Sequence, residues 1–287
     1  MKILIVGCGY LGRALGNKMV ESGSEVWGLR RDTLALKSLE MIGIKPIQAD
    51  LTRPETLTHV PQVDSVILCQ APSTPQDNYY STYFEATGNL IESFHLKKPK
   101  KLIMISSASV YGTANGVWVD EETNPEDTGY SSKKVETQAK TLLKTEKFVL
   151  SSLIPSIVFR LGGIYGPKRN RLKAIKEEKF NPSFSDRYSN RIYVDDAVSG
   201  VRLLLEKGRI GEIYLGVDDG PSTEDDFYSW IYEELSVKKS QEPKKEAGND
   251  RASSKRCSNK KMKALGWKLK YPTFREGYKI LMREMAH

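Results

Sequence analysis

A doubly wound parallel sheet of the α/β class is the architecture expected of these 287 residues. Two observations carry the expectation. Short apolar, β-branched runs alternate with amphipathic stretches, the pattern of parallel βαβ units. The runs are apolar on both faces, as in Ile3-Leu4-Ile5-Val6 and Val66-Ile67-Leu68-Cys69, which suits a sheet covered on both sides.

Buried strands are expected at Lys2–Val6, Glu25–Leu29, Lys45–Ala49, Asp64–Cys69, Lys101–Ile105 and Ser156–Leu161. Helices are expected between them at Tyr10–Glu21, Asp77–Leu96 and Tyr130–Lys144. After Tyr165 the pattern changes: Gly166-Pro167 breaks the chain and a basic amphipathic stretch follows. Asn190–Val194 reads as a short polar strand, Asp195–Glu206 as a helix and Gly211–Gly216 as a return to the sheet. From Ser222 the chain reads as helix. A lysine-rich segment, Ser240–Ser254, follows, with Pro243 and Gly248, and reads as a loop. Asn259–Gly266 and Phe274–Glu284 read as helices again. The expected division is a sheet domain over 1–165 and a smaller C-terminal lobe over 166–287, with about 191–217 returning to the main sheet.

Hydrophobic residues make up 39% and charged residues 28%, an ordinary balance for a globular chain. No run approaches the ~18 apolar residues of a membrane span. Glycines interrupt the apolar opening at once, so it does not read as a signal peptide. Cys8, Cys69 and Cys257 are odd in number and scattered, which argues against a disulfide framework and fits a cytoplasmic setting. His59, His95 and His287 show no ligand spacing, so no metal is expected. The net charge of +8 attracts anions, and its excess is concentrated between Lys238 and Lys270.

Gly7-Cys8-Gly9-Tyr10-Leu11-Gly12 is a GxGxxG that follows the first strand and opens a helix. In that context Gly7 permits the tight turn, Gly9 lets the backbone approach a pyrophosphate, and Gly12 lets the helix pack on the strand. The helix N-terminus offers unpaired N–H groups to the phosphates. This motif makes the expected sheet Rossmann-like and the bound molecule a dinucleotide. NAD-binding units usually place an acid at the end of the second strand. Here the residues are Gly28-Leu29-Arg30-Arg31-Asp32, and two arginines suit a phosphate. NADP is therefore expected over NAD, with Asp32 one register away as the competing reading. Asp50-Leu51 closes the third strand, where Asp50 could meet the adenine amine or simply cap a turn.

Tyr130-Ser131-Ser132-Lys133-Lys134 contains YxxxK, which on a helix puts Tyr130 and Lys134 on one face. An ammonium at ~4 Å favours a phenolate by about 4 kcal/mol at an effective dielectric near 20. That would bring the phenol, ordinarily near ~10, toward working pH. The run Ser106-Ser107-Ala108-Ser109-Val110-Tyr111-Gly112 ends the fifth strand, at the edge where such sheets bind ligands. Its hydroxyls can donate to a substrate oxygen as charge develops.

These segments, with Arg160–Pro167 and Asn190–Asp196, resemble the extended short-chain dehydrogenase/reductases, in an atypical branch of the NAD(P)-dependent epimerase/dehydratase family. They occur in that family's order along the chain. The ending Ser258-Asn259-Lys260, Leu265-Gly266 and Tyr271-Pro272 is similar to its C-terminal lobe. The resemblance implies Ser107 to orient the carbonyl or hydroxyl, Tyr130 as acid/base, and Lys134 to lower its pKa and hold the nicotinamide ribose. It implies a cofactor set of Gly7, Gly9, Tyr10, Leu11, Gly12, Arg30, Arg31, Asp50, Leu51, Gln70, Ala71, Tyr130, Lys134, Leu161 and Ile164. Ser107, Tyr165, Asn190 and Arg191 would face the substrate, a nucleotide sugar or another anionic carbonyl or alcohol. Extended members often pair through the helices matching Asp77–Leu96 and Tyr130–Lys144, which leaves a homodimer open.

Three departures stand out. The spacing is GxGxxG where the family usually has GxxGxxG. The active-site Asn has no counterpart in Ser81-Thr82-Tyr83-Phe84. Ser107-Ala108-Ser109 replaces the Thr-Asp-Glu of sugar dehydratases, which disfavours water elimination. The expected function is an NADP-dependent reductase or epimerase that moves hydride to or from a carbonyl or hydroxyl carbon. The alternative is a non-catalytic NADP-binding or nucleic-acid-binding protein on the same fold. Nucleic acid is disfavoured because aromatics are scarce in the basic stretch, with Trp267 and Tyr271 only at its end. No membrane partner is expected.

Overall fold

The expected apolar runs become neighbours in one sheet. A computed structural model describes residues 1–72, 74, 77–180, 182, 184–237 and 254–286. Its strands are β1 (Lys2–Val6), β2 (Glu25–Arg30), β3 (Lys45–Gln48), β4 (Ser65–Leu68), β5 (Lys101–Ser107), β6 (Trp118–Val119), β7 (Ser156–Leu161), β8 (Gly163–Tyr165), β9 (Tyr188–Ser189), β10 (Arg191–Tyr193), β11 (Ile213–Gly216), β12 (Ser222–Thr223) and β13 (Arg256–Cys257). Its helices are α1 (Tyr10–Glu21), α2 (Leu36–Glu40), α3 (Ala86–Ser93), α4 (Lys133–Leu150), α5 (Leu172–Lys176), α6 (Val194–Lys207), α7 (Glu224–Leu235), α8 (Lys260–Ala264) and α9 (Phe274–Ala286).

The seven-stranded sheet has the order β11-β7-β5-β4-β1-β2-β3. The pairs β1–β2, β1–β4, β2–β3 and β4–β5 are parallel. The chain runs outward from β1 through β2 and β3, then returns to place β4 on the other side of β1. That reversal makes the β1/β4 boundary the switch point, where ligands of open α/β sheets bind. Ile3, Leu4, Ile5, Val6, Val66, Ile67, Leu102 and Ile103 are wholly buried, as strands covered on both faces require.

The chain packs as two units interleaved along the sequence. The first comprises Met1–Ser107, Gln138–Arg160 and Ala197–Tyr214. Its interior holds a dry charge pair. Arg160 donates through Nη2 to Glu146 Oε2 at 2.7 Å and through Nε to Oε1 at 3.1 Å. The Ser106 hydroxyl donates to Glu146 Oε1 at 2.5 Å. Glu146 and Arg160 are only 2% and 3% exposed, so their attraction is hardly screened.

The second unit comprises Ala108–Thr137, Leu161–Asp196 and Leu215–His287. Among the described residues it carries the two-stranded ladders β8–β10, β9–β12 and β6–β13. Aromatic rings fill its core: Tyr165 stacks on Tyr278 at 4.9 Å, and Phe227 meets Phe274 edge-on at 5.0 Å. The Arg191 guanidinium lies 3.8 Å from the Phe227 ring centre, and its Nη1 donates to Ser222 Oγ at 2.9 Å. Asp218 is 2% exposed; its Oδ1 accepts from the Gly220 N–H at 3.2 Å, while its Oδ2 is buried with no partner among the described residues. Burial pushes the Asp218 carboxyl up to about 7, against the lowering pull of Arg191. The Asp196 carboxylate accepts from the Lys270 and Tyr271 N–H groups at 2.7 and 2.9 Å, fixing the segment ahead of α9.

Two of the expected helices change most. The helix expected at Tyr130–Lys144 starts at Lys133 and runs to Leu150. Ser132 is the reason: its Oγ accepts from the Val135 N–H at 3.3 Å and its C=O from the Glu136 N–H at 3.0 Å, a cap that starts the helix after it. Tyr130 therefore precedes the helix. The stretch expected at Asp77–Leu96 carries a π-helical turn at Ser81–Glu85 before α3. The expected loop Ser240–Ser254 lies outside the described residues except for Ser254.

Two stability measurements follow from these cores. Glu146→Ala takes the carboxylate away from the buried Arg160 charge and should cost about 3–5 kcal/mol by denaturant unfolding, with the double change Glu146→Leu, Arg160→Met costing less. A single-variant loss under about 1 kcal/mol would show the pair to be solvated. For Asp218 the folded pKa lies above the unfolded 3.8, so its contribution is full below that value and is lost as pH rises through about 7. Asp218→Asn should thus raise the melting temperature more at pH 8 than at pH 5; an equal or reversed gap would count against the buried acid.

Candidate functional site

The first unit builds the cradle at the switch point. Gly7 has φ +71°, and its N–H donates to Leu29 O at 3.1 Å. A Cβ on Gly7 would come within 2.5 Å of Gln70 Cα, so the turn admits only glycine. At Gly12 a Cβ would stand 3.0 Å from Ile5 Cγ2, which measures how closely α1 lies on β1. The first turn of α1, with Tyr10 and Leu11, has no acidic residue and no side-chain cap at Gly9. The positive dipole end of the helix therefore carries no competing negative side chain. Burial pushes the Cys8 thiol up to about 12 even with Arg30 and Arg13 near, so Cys8 packs rather than reacts.

Arg30 ends β2 at the cradle's rim. Its Nη1 donates to Cys8 O at 3.3 Å and is 3.6 Å from where a Gly9 Cβ would be. Arg31 instead pairs with Asp77 at 3.1 Å and is half exposed. The Asp32 carboxylate caps the short 3₁₀ turn Thr33–Ala35 by accepting from the Leu34 N–H at 2.9 Å. Asp50 Oδ1 accepts from the Thr52 N–H at 3.0 Å and from its hydroxyl at 2.7 Å, the turn-capping arrangement. Leu51 is buried, with its C=O taken by Asn89 Nδ2 at 2.8 Å. Gln70 abuts Gly7, and Ala71 beyond it is exposed. Ser107 is half-buried at the end of β5, next to Ser106 with its bond to Glu146.

In the second unit Tyr130 lies on the Ala108–Gly112 turn. Its hydroxyl donates to Val110 O at 3.1 Å, and its ring borders Gly112, whose φ is +55°. A Cβ there would meet Gly129 O at 2.0 Å, so a glycine at 112 is what lets the Tyr130 segment close in. Lys134 is exposed in the first turn of α4. The shared helical face expected for Tyr130 and Lys134 is therefore absent: one precedes the helix that carries the other.

Leu161 is buried and Ile164 half-buried, on β7 and β8. Tyr165 and Arg191 belong to the buried cluster with Asp218 and Tyr278. The Tyr165 hydroxyl is enclosed with no partner among the described residues, and burial followed by the Asp218 charge raises its pKa. Burial likewise lowers the Arg191 pKa. Asn190 is engaged at both ends of its amide: Nδ2 donates to Lys255 O at 2.9 Å, and Oδ1 accepts from the Cys257 N–H at 2.7 Å.

Sequence reasoning missed Glu146, Asp218 and Lys255. Lys255 is 2% exposed, donates to Gly112 O at 3.0 Å, and is pulled down to about 8 by burial. Glu146 and Lys255 act through partners distant in sequence, and Asp218 through burial and the charge of Arg191, so no local spacing marks them.

Among the described residues there is no cluster fit for a metal, and no helix is long and apolar enough to cross a membrane. Residues 3–215 match the NAD dependent epimerase/dehydratase family. Protein YeeZ of Escherichia coli K12 is 26% identical over 222 residues, 74% of this chain and 76% of that protein. A decarboxylating sterol-4-alpha-carboxylate 3-dehydrogenase of Dictyostelium discoideum is 25% identical, covering 76% and 71%. Among solved structures, a candidate NAD-dependent epimerase/dehydratase from Methylobacillus flagellatus superposes with TM-score 0.79 at 26% identity, over 100% of this chain and 99% of that one. The dTDP-glucose 4,6-dehydratase of Bacillus anthracis, in complex with NAD, gives 0.76 at 22%, covering 96% and 94%, a likeness of fold. With its glycine cradle at the sheet's switch point and a family match across most of its length, the chain belongs to the NAD dependent epimerase/dehydratase family and is an enzyme of that nicotinamide-dependent class.

Proposed function

We propose that the chain is an NADP-dependent reductase or epimerase that moves hydride to or from a carbonyl or hydroxyl carbon of a small anionic substrate, of which a nucleotide sugar is the family example. The observation that carries the cofactor choice is the rim of the cradle. Arg30 stands beside Gly9, while the competing acid, Asp32, already spends a carboxylate oxygen on the Leu34 N–H. A guanidinium there suits a 2′-phosphate and offers no acceptor to a ribose 2′-hydroxyl. Arg31 would join it by leaving Asp77, an exposed pair of small worth.

The cradle fits a dinucleotide, since side chains at Gly7 or an acid in the first turn of α1 would close it, and neither is present. When bound, the nicotinamide supplies or accepts the hydride. Gly7 and Gly9 would let the pyrophosphate approach, and the N-terminus of α1 would hold it. Ser107 would donate a hydrogen bond to the reacting oxygen, and Tyr130 would give that oxygen its proton in reduction or take it in oxidation. To do so the Tyr130 hydroxyl must leave Val110 O, which now accepts it. Lys134, free to reorient from its exposed position, would supply the positive charge that favours the phenolate. Leu161 and Ile164 would flank the nicotinamide. The reading keeps Tyr165, Asn190 and Arg191 on the substrate side, where Arg191 would offer charge to an anionic group. Pairing into a homodimer and a cytoplasmic setting belong to the same reading.

The cofactor choice is tested by titrating NADPH and NADH side by side against nicotinamide fluorescence. The double variant Arg30→Ala, Arg31→Ala should weaken NADPH by about 10- to 100-fold and NADH much less, as expected for lost charge-assisted bonds. Equal losses would remove the assignment to NADP. The acid/base role is tested with Tyr130→Phe on any carbonyl compound found to oxidise NADPH. Turnover should fall by roughly a hundredfold or more with NADPH affinity unchanged; full residual turnover would refute it.

A further inference from the structure

Arg13 lies outside the cofactor set that the resemblance implies, yet it stands close to Arg30. It belongs to the start of α1, and its N–H donates to Gly9 O at 2.9 Å. Residues four apart share a helical face, and helical side chains lean toward the N-terminus, so Arg13 leans back along the Gly9 side of α1. Gly9 has no Cβ, and Arg30 Nη1 is 3.6 Å from where one would be. The buried Cys8 thiol feels both charges, since Arg30 and Arg13 each lower its pKa against the effect of burial. The two guanidinium groups are therefore neighbours at the start of α1. Gly9, Arg13, Arg30 and Ser38 all keep part of their surface open to solvent.

Neither group pairs with a carboxylate among the described residues, whereas Arg31 is paired with Asp77 at 3.1 Å. Arg13 Nη1 donates to Ser38 Oγ at 2.9 Å, and the Ser38 hydroxyl donates in turn to Ala35 O at 2.6 Å. Arg30 Nη1 donates to Cys8 O at 3.3 Å. Each fork is thus steadied by a neutral acceptor and keeps further N–H groups to offer. Two like charges near one another repel, and an anion between them replaces that repulsion with attraction. Guanidinium forks match the oxygens of a phosphate. We propose that Arg13 is a specificity-determining residue which, with Arg30, holds the 2′-phosphate by which NADP differs from NAD. The proposal rests on the NADP reading above and adds a residue to it. Arg13 is the ready partner of Arg30, while Arg31 must first leave Asp77. The competing role for Arg13 is a plain tie between α1 and α2 through Ser38.

The test titrates NADPH and NADH by nicotinamide fluorescence. Arg13→Gln should weaken NADPH about tenfold, as for one lost charge-assisted contact, and leave NADH within about twofold. Equal weakening of both would mean that Arg13 serves the pyrophosphate or the shape of the cradle, and no weakening of either that it only ties α1 to α2; each overturns the proposal. Ser38→Ala removes the tie and keeps the charge, so the preference for NADPH should stay within about twofold. A loss matching that of Arg13→Gln would overturn the proposal. If the Arg30→Ala, Arg31→Ala variant loses NADPH selectively and Arg13→Gln does not, this inference falls alone. Wild-type protein with no preference for NADPH over NADH would overturn the NADP reading and this one together. If Arg13→Gln fails to fold, the wild type still decides. The Arg13 Nε ¹⁵N resonance should shift on adding adenosine 2′,5′-bisphosphate and stay in place on adding adenosine 5′-monophosphate; a shift with both, or with neither, overturns the proposal.

Discussion

The buried pair Glu146–Arg160, with Ser106, ties three segments of the first unit together. Each of its members adjoins a segment that leads to a site residue. Ser106, bonded to Glu146, precedes Ser107; Arg160 precedes Leu161; and Glu146 rides on the helix whose first turn carries Lys134. A charge pair in a dry interior tolerates little displacement, because movement of either partner leaves a charge without compensation. The ends of β5 and β7 and the body of α4 are thus held by electrostatics as well as by packing. An apolar trio of the same volume could match it in stability, but it would lack the directional bonds that fix the three segments in register.

What could be read from the sequence was what depends on neighbours in sequence. β1 and α1 have the limits that the apolar runs and the glycine spacing indicate, and β7 is placed to the residue. These elements follow from periodicity and from backbone freedom at Gly7, both local properties. The start of α4 was misjudged because YxxxK suggested one continuous helix. The two serines inside that motif instead compete for the backbone, and Ser132 wins as a cap. The π-helical turn was invisible for a related reason. No residue in Ser81–Glu85 demands it, and its carbonyl at Thr82 is met by a glutamine twelve residues earlier.

The polar groups of the second unit were beyond reach for a different reason. Arg191 was picked out by its motif, yet nothing local shows that a phenyl ring, a serine and a buried acid would surround it. Asn190 looks in sequence like a binding residue, and in the structure both ends of its amide hold the backbone at Lys255 and Cys257. That clamp explains how a segment entering from residue 254 is held without long secondary structure of its own. Polar residues in such a unit serve packing and chemistry with the same atoms, and only their partners distinguish the two uses.

The strand order has a consequence for synthesis on the ribosome. β1, made first, lies inside the sheet, and the edge beyond β7 is completed only by β11, some fifty residues later. Every residue of β7 is buried in the finished protein. Until Ile213–Gly216 emerges, the nascent chain therefore presents an apolar strand with an open row of backbone donors and acceptors, the kind of edge that recruits strands from other chains. Interrupted translation in that interval would release a fragment with its cofactor cradle complete and its sheet unclosed.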